Sequence, residues 1–515
     1  MIKGIIKKGE YYDSVSLMLV AKEINKMPGI EDSSVVMGTK ENLAILKNAE
    51  LLVSELEKAG DTDLIIVVKA QEEKLANDAI NNVAALLKEM RNKKDKGDNF
   101  TPKSFDSALT LMPEANLSLI SIAGKYAAAE AQKAIENNMH VMIFSDNVSI
   151  EDEFMLKQMA DAKGLLVMGP DCGTAIINGI PLAFANVVNS GNIGLVGASG
   201  TGLQEVTSII SMNGGGISQA MGTGGRDVKR EIGGIMFISA LKALANNDKT
   251  KVICLVSKPP HAEVLQKIAT VVKSITKPVV AIFIGADKEL IEKSGAIAAE
   301  SLEEAALFSV ALAEGKAVDA VRVELTERNK EIQKLASEVA KNTKGKYLRG
   351  LFSGGTLCDE AQLILRKTIG NVYSNTPLHP DFKLQDVWKS KGHTILDLGD
   401  DEFTAGRPHP MIDFSLRTKR IVEEAKDKEV AIIMLDVVLG YGSNMHPDVE
   451  LVPAITLAKE ISPGLQVICA ITGTDKDPQN LSKIKTALEK TGVIVMPSNV
   501  AAAELCGDII QLLNK

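Results

Sequence analysis

Aromatic residues are scarce in this chain: they make up 4% of 515 residues, and there is a single tryptophan. Hydrophobic cores must then rest on Ala, Val, Ile and Leu, which suits buried parallel strands covered by small-residue helices. Cysteine is scarce too. Cys172, Cys254, Cys358, Cys469 and Cys506 are scattered, with no CxxC pair and no finger spacing. They read as small core residues or as free thiols of a reducing compartment. No stretch reaches the roughly 20 apolar residues of a membrane span. The opening MIKGIIKKGEYYDS lacks the apolar run of a signal peptide. A cytoplasmic protein without a membrane partner is expected. The net charge is −8, and no basic tract is interleaved with aromatics, so no nucleic-acid partner is expected. There is no HExxH or HxH pattern, and no metal site or cofactor is predicted.

What is present is a repeated α/β alternation, in a chain too long for one hydrophobic core. Before residue 91 the pattern suits a small α+β domain. Helices are predicted over Ser14–Lys26, Asn42–Ala59 and the stretch through Met90, with strands at Ser34–Met37 and Leu64–Lys69. The charged segment Arg91–Phe105 reads as a linker. From Asn116, LSLISIAG, HVMIFSD and GLLVMGP alternate with helical stretches as βαβ units, which implies a parallel sheet. A second block starts at Gly191 with strands IGLV, VICLVS and PVVAIFIGA. The charged stretch Leu325–Lys346 reads as a helical linker. A third block follows, with strands YLRGLFSG, VAIIMLDV, QVICAITG and VIVMPS. Ligands of open parallel sheets collect at the carboxyl ends of the strands.

Five segments carry candidate chemistry. In GNIGLVGASGTGLQE a short strand runs through a Gly, Ser, Thr turn into a helix. Free N–H groups and the positive dipole end then meet at Ser199, Gly200 and Thr201, as a phosphate requires. An ordinary strand–helix turn is the other reading. GTGGRDVKREIGG brings Arg226, a fork for a carboxylate or phosphate, or only a solvated loop. LGYGSNMHPD offers Gly442, Ser443 and Asn444 as anion donors and His446 as acid or base, or is a polar crossover. DLGDDEFTAGRPHPMID carries Arg407, suited to an acidic substrate, and His409, between stiffening prolines. GPDCGTAIINGIP holds Cys172; without a local histidine, a loop shaped by Gly and Pro is preferred to a thiolate nucleophile.

Taken in order, these segments resemble succinyl-CoA synthetase. GPDCGTAIINGIPLAFA followed by GNIGLVGASGTGLQEV is similar to its α subunit, as is KPVVAIFIGA. The part from GLFSGGTLCDEA to VAIIMLDVVLGYGSN resembles the carboxyl-terminal domain of its β subunit. The fusion of both without an ATP-grasp domain, together with FTAGRPHPMID, is similar to the FdrA family. The resemblance implies an α/β fold: a small N-terminal α+β domain (1–95), a Rossmann-like, CoA-binding-like domain (110–190) and two flavodoxin-like parallel-sheet domains. These are an α-like ligase domain (191–325) and a β C-terminal-like domain (347–515). It also implies a subunit of oxamate carbamoyltransferase, the AllF component. That enzyme converts oxalurate and phosphate to oxamate and carbamoyl phosphate in anaerobic allantoin breakdown, with two further subunits in an oligomer.

The departures bear on activity. The synthetase's phosphorylated histidine lies in a GHAGA run, where this chain reads EKSGA, with Lys293 or Ser294 near its place. Its supporting glutamate lies in GEIGG, where this chain reads VSKPP, with Ser257 near that place. The CoA turn is replaced by NLSLISIAGKY. On this reading Ser199–Thr201 and Gly442–Asn444 form a two-helix clamp for phosphate or carbamoyl phosphate, Arg226 and Arg407 hold the oxamate or oxalurate carboxylate, and His409 or His446 moves a proton. Two alternatives stand beside it. One is an NDP-forming acyl-CoA synthetase that borrows an ATP-grasp chain; the other is a non-catalytic scaffold.

Overall fold

The computed structural model describes residues 1–10, 12, 14–49, 51–94, 102, 104–404 and 408–515. These fall into two units: Met1–Leu111 with Asp401–His409, and Met112–Asp400 with Pro410–Lys515.

In the first unit, β1 (Ile2–Lys7), β2 (Ile30–Met37) and β3 (Leu64–Ala70) form an antiparallel sheet in the order β1-β3-β2. β3 reads LIIVVKA because it is central and covered on both faces. Leu64, Ile66 and Val68 pack on one side with Leu17, Val20 and Ala76, while Ile65 and Val67 pack on the other with Leu46 and Leu56. That is the two-residue period of a strand. The expected helix Asn42–Ala59 is shorter, Lys40–Asn48, and Ala49 N–H closes it on Ile45. Leu51 and Leu56 still bury, so helical spacing continues in a chain that has left the helix. Residues 95–101 and 103 of the expected linker lie outside the described residues, and its first residues continue the helix Glu73–Lys94.

The second unit is built on three sheets. β4 (Leu117–Ile120), β5 (His140–Ile143) and β6 (Val167–Met168) are parallel. The next strands are β7 (Thr174–Ile177), β8 (Ile180–Ala183), β9 (Ser190–Ala198), β10 (Ile217–Gly222), β11 (Val252–Ser257), β12 (Val279–Phe283) and β13 (Ile297–Ala298). They lie in the order β13-β12-β11-β9-β10-β7-β8, parallel except at the β7–β8 hairpin. The hairpin precedes residue 191, yet it pairs with β10 of the sheet that follows.

The third sheet comprises β14 (Tyr347–Phe352), β15 (Val372–Tyr373), β16 (His393–Asp397), β17 (Val430–Val438), β18 (Gln466–Thr472) and β19 (Ile494–Met496). It is parallel throughout, in the order β15-β16-β14-β17-β18-β19. β17 is VAIIMLDVV and buried along its whole length, as a central parallel strand requires.

One apolar cluster joins the second and third sheets. It runs from Ile176 through Leu203, Val206, Phe308, Phe352 and Leu357 to Ile510. Each such large side chain contributes about 1.5–3 kcal/mol when fully buried. Leu325–Lys346 is not a free linker: it lies largely in the helix Val318–Ala340, whose Ile332 and Ala336 bury in this cluster. No helix among the described residues is long and apolar enough to cross a membrane.

Candidate functional site

The carboxyl ends of β9 and β14 each turn directly into a helix, Gly200–Met212 and Gly355–Ile369. The two starts touch. Ser199 caps the first helix, its Oγ accepting the Gly202 N–H (3.1 Å), and shares a hydrogen bond with Thr356 Oγ1 (2.7 Å). Glycine permits this approach. A Cβ on Gly354 would meet Thr201 Cγ2 at 2.9 Å, and one on Gly202 would collide with Ser199 Oγ. The first N–H groups of both helices, and the positive ends of both dipoles, therefore converge.

Three charged groups sit beside this junction. Lys258, just past β11, pairs with Asp359 (2.6 Å). Asp397 ends β16, and a Cβ on Gly355 would meet its Oδ2 at 2.6 Å. Burial pushes Asp397 up to about 7, against the Gly399 N–H bond and Lys258, with Asp359 and Asp400 adding to the rise. Burial also opposes the charge on Lys258, but Asp359 and Asp397 outweigh it and hold the lysine above its usual value. Ser257 Oγ is buried with no partner among the described residues.

A buried carboxylate fixes the turn that leads into the second helix. Asp436 Oδ1 accepts the Ser353 N–H (2.8 Å), and Oδ2 accepts the Gly354 N–H (2.8 Å). Arg417 Nη1 pairs with the same carboxylate at 2.7 Å. On the far side, Glu205 of the first helix accepts from Thr472 Oγ1 and from Asn499 N–H (3.1 Å). Each helix start is thereby held by its own sheet and by the opposite one.

Of the residues picked out from the sequence, Ser199, Gly200 and Thr201 lie at this junction. The start facing them directly is Gly354–Thr356. The loop with Gly442, Ser443 and Asn444 lies farther along the same edge. Gln204 donates to Asn186 Oδ1 (3.1 Å), and Asn186 donates to Leu439 O (3.0 Å). A Cβ on Gly442 would meet the Phe184 ring at 2.7 Å. His446 stands before the helix Pro447–Ile461 and gives its backbone N–H to Asn444 Oδ1 (2.8 Å). Arg226 pairs with buried Glu153 (2.8 Å) and donates to Val148 O (2.8 Å), next to fully buried Lys157. His409 groups with the first unit, and burial takes it down to about 4. Arg407 lies outside the described residues. Burial pushes the Cys172 thiol up to about 12, so it is no thiolate. No cluster of His, Cys, Asp and Glu among the described residues suits a metal ion.

Sequence reasoning missed Thr356 and Lys258. The run SGGT, which repeats the SGT of the first turn, was the available signal for Thr356.

Three family models match the chain. The CoA-ligase model covers residues 351–509, the CoA-binding domain model 188–285, and the model of the AllF heavy metal-associated domain 1–102. Residues 1–102 contain neither cysteine nor histidine, so the last match carries no soft metal ligand beyond methionine. The chain is 42% identical to YahF of Escherichia coli (strain K12) over 99% of its length and 98% of that protein's. It is 27% identical to succinate–CoA ligase [ADP-forming] subunit alpha 1 of Archaeoglobus fulgidus, over 33% of this chain and 58% of that subunit. Among solved structures, PH0766 from Pyrococcus horikoshii OT3 aligns over 78% of this chain and 84% of its own, at 15% identity and a TM-score of 0.31.

These findings correct one expectation. Both sheets that bear the junction match CoA-ligase and CoA-binding models, and the partial relative is a succinate–CoA ligase subunit; the enzyme class they indicate is not a carbamoyltransferase. The expectation had rested on the resemblance to the FdrA family, with the missing histidine as support. Loss of a phosphoryl carrier limits which half of a ligase reaction a chain can run, and does not by itself change the class of reaction. The chain has a succinyl-CoA synthetase-like ligase and CoA-binding fold behind an AllF-type N-terminal domain, and with its end-to-end match to YahF it belongs to the FdrA family.

Proposed function

We propose that this chain is the acyl-phosphate site of an acyl-CoA-ligase-type enzyme, exchanging acyl phosphate plus an acceptor thiol for thioester plus phosphate. The observation that carries the reading is the Ser199–Thr356 contact at 2.7 Å, which sets two helix N-termini on one point. The phosphate lies there, on the first-turn N–H groups of both helices and the hydroxyls of Ser199, Thr201 and Thr356, with Lys258 as the cation. The thiol sulfur attacks the acyl carbon, the carbon–oxygen bond to phosphate breaks, and phosphate stays in the clamp as leaving group. Asp397 takes the thiol proton; a carboxyl raised to about 7 is matched to that task near neutral pH. Coenzyme A enters as the acceptor substrate. No side chain carries the phosphoryl group, in keeping with Lys293 and Ser294 in the EKSGA run. Nucleotide chemistry, where the full enzyme uses it, falls to a partner chain.

The test is exchange of labelled phosphate into acyl phosphate in the presence of coenzyme A, with the full chain and its co-purifying partners. Ser199→Ala with Thr356→Ala lowers kcat/KM by about 10²-fold or more if these hydroxyls meet the charge that develops on the leaving phosphate. Absence of exchange in the unaltered protein, or formation of a stable phosphoprotein on this chain from labelled ATP, overturns the reading.

A further inference from the structure

Arg417 is the largest of the fully buried side chains, with no exposed surface, and only part of its guanidinium is used. Nη1 pairs with Asp436 (2.7 Å), while Nε and Nη2 have no partner among the described residues. Those two atoms share one edge of the guanidinium. Their N–H bonds run parallel and match the two oxygens of a carboxylate. Leaving such donors buried and unmade is expensive, so an empty fork edge points to a missing acceptor.

A second orphan sits in a loop tied to the segment that leads into the helix bearing Arg417. Ser443 is 5% exposed, and its Oγ also has no partner among the described residues. The loop that carries it is tied to the start of the helix Ser415–Ala425, which bears Arg417. Asn444 N–H donates to Met411 O (2.7 Å). Glu450 accepts from Asn444 Nδ2 (2.9 Å) and from Phe414 N–H (3.3 Å). The Phe414 ring in turn underlies Arg417, 4.6 Å from its central carbon.

We propose that Arg417 Nε and Nη2, with Ser443 Oγ as a third donor, form a binding site for the carboxylate of a small organic acid. Asp436 already neutralises the guanidinium. A singly charged carboxylate is tolerated there, and a phosphate dianion is not. Arg417 and Ser443 are both buried, while Tyr441 and Met445 of the loop 439–446, which carries Ser443, are exposed. That loop lifts to admit the acid. The site does not depend on the clamp taking an acyl phosphate, because its donors are separate from Ser199 and Thr356.

The experiment is thermal stabilisation and calorimetric titration of the full chain with acetate, malonate and inorganic phosphate. Carboxylates bind the unaltered protein saturably. Ser443→Ala weakens them ~10-fold and Arg417→Lys, which keeps the charge facing Asp436 but loses the fork, weakens them ~10- to 100-fold. The response to phosphate is unchanged in both. Ser443→Ala leaves the Arg417–Asp436 pair intact, so it decides the matter if Arg417→Lys does not fold. No carboxylate binding to the unaltered protein overturns the proposal. So does binding that survives Ser443→Ala at full strength, or that is abolished by Ser199→Ala with Thr356→Ala instead. Loss of the phosphate response in that last variant alone speaks only to the clamp.

Discussion

Replacing Asp436 with alanine takes away the carboxylate that pairs with Arg417 among the described residues, at a place where both side chains are sealed from water: Arg417 is 0% and Asp436 1% exposed. A buried ion pair broken on one side costs about 3–5 kcal/mol, because the remaining charge has no solvent to turn to. The same substitution leaves the N–H groups of Ser353 and Gly354 without their acceptor. Each costs about 1–3 kcal/mol if nothing replaces it. The terms overlap, so the expected loss is about 4–6 kcal/mol, roughly a quarter or more of a typical domain stability of about 5–15 kcal/mol. Urea unfolding reads this directly. Trp388, the single tryptophan, stands in the same unit and supplies the fluorescence signal. The double variant Arg417→Met with Asp436→Leu should recover much of the loss, since it removes both charges and fills the space with apolar groups. A loss under about 1 kcal/mol for Asp436→Ala would refute the reasoning. It would mean that Arg417 finds another partner or water, and the empty fork edge would lose its force.

Glycine at the clamp is expected to be irreplaceable: Gly354→Ala pushes a Cβ to 2.9 Å from Thr201 Cγ2. That overpacking costs about 1–3 kcal/mol and should weaken phosphate binding in calorimetry more than it lowers Tm. Glu360 gives a pH signature. Burial raises it, the Leu302 and Asn499 bonds lower it, Glu205 and Glu303 raise it further, and it ends at about 7 in place of 4.5. The folded carboxyl keeps a proton that the unfolded one releases. Its contribution is fully present below pH 4.5 and is lost as pH rises to about 7, by about 3 kcal/mol. Denaturation midpoints across that window measure it, and Glu360→Gln should flatten the slope. All five cysteines are buried, and Cys172, Cys254 and Cys469 are pushed up to about 12. Alkylation followed by mass spectrometry should label none in the native protein and all in denaturant.

The sheets were readable because buried parallel strands declare themselves as unbroken apolar runs, as VICLVS and VAIIMLDV do. β10 escaped because it reads ISQAMG. Its polar side chains look like a loop but are spent inside, Ser218 on Thr250 (2.7 Å) and Gln219 on Asn178 (2.7 Å). Ser199–Thr201 was readable because its donors are local, a strand end and a helix cap in one stretch. Thr356 was not, because its meaning lies in Ser199, 157 residues away. Lys258 showed only as part of a run lacking a glutamate, and its pairing with Asp359 is tertiary. Arg417 was hidden most deeply. In SLRTKR it looks like one more solvated cation, and only the fold reveals that it is turned inward and fully buried.

Asp436 joins the two anion-facing features, and this bears on how they can be tested. One carboxylate orients the turn Ser353–Gly354, and with it the start of the helix Gly355–Ile369, and also holds Arg417 by its Nη1. Donors aimed at a developing negative charge are effective only when they need not reorganise. Here they are fixed from behind by a group that touches neither proposed ligand. On the other side, Glu205 anchors the helix Gly200–Met212 to Thr472 and Asn499, so neither helix start shifts without disturbing the opposite sheet. Substitutions at Asp436 or Glu205 therefore move stability and binding together and cannot apportion them. Ser199, Thr356 and Ser443 place only a hydroxyl at each site, and removing that hydroxyl is the perturbation that separates chemistry from fold.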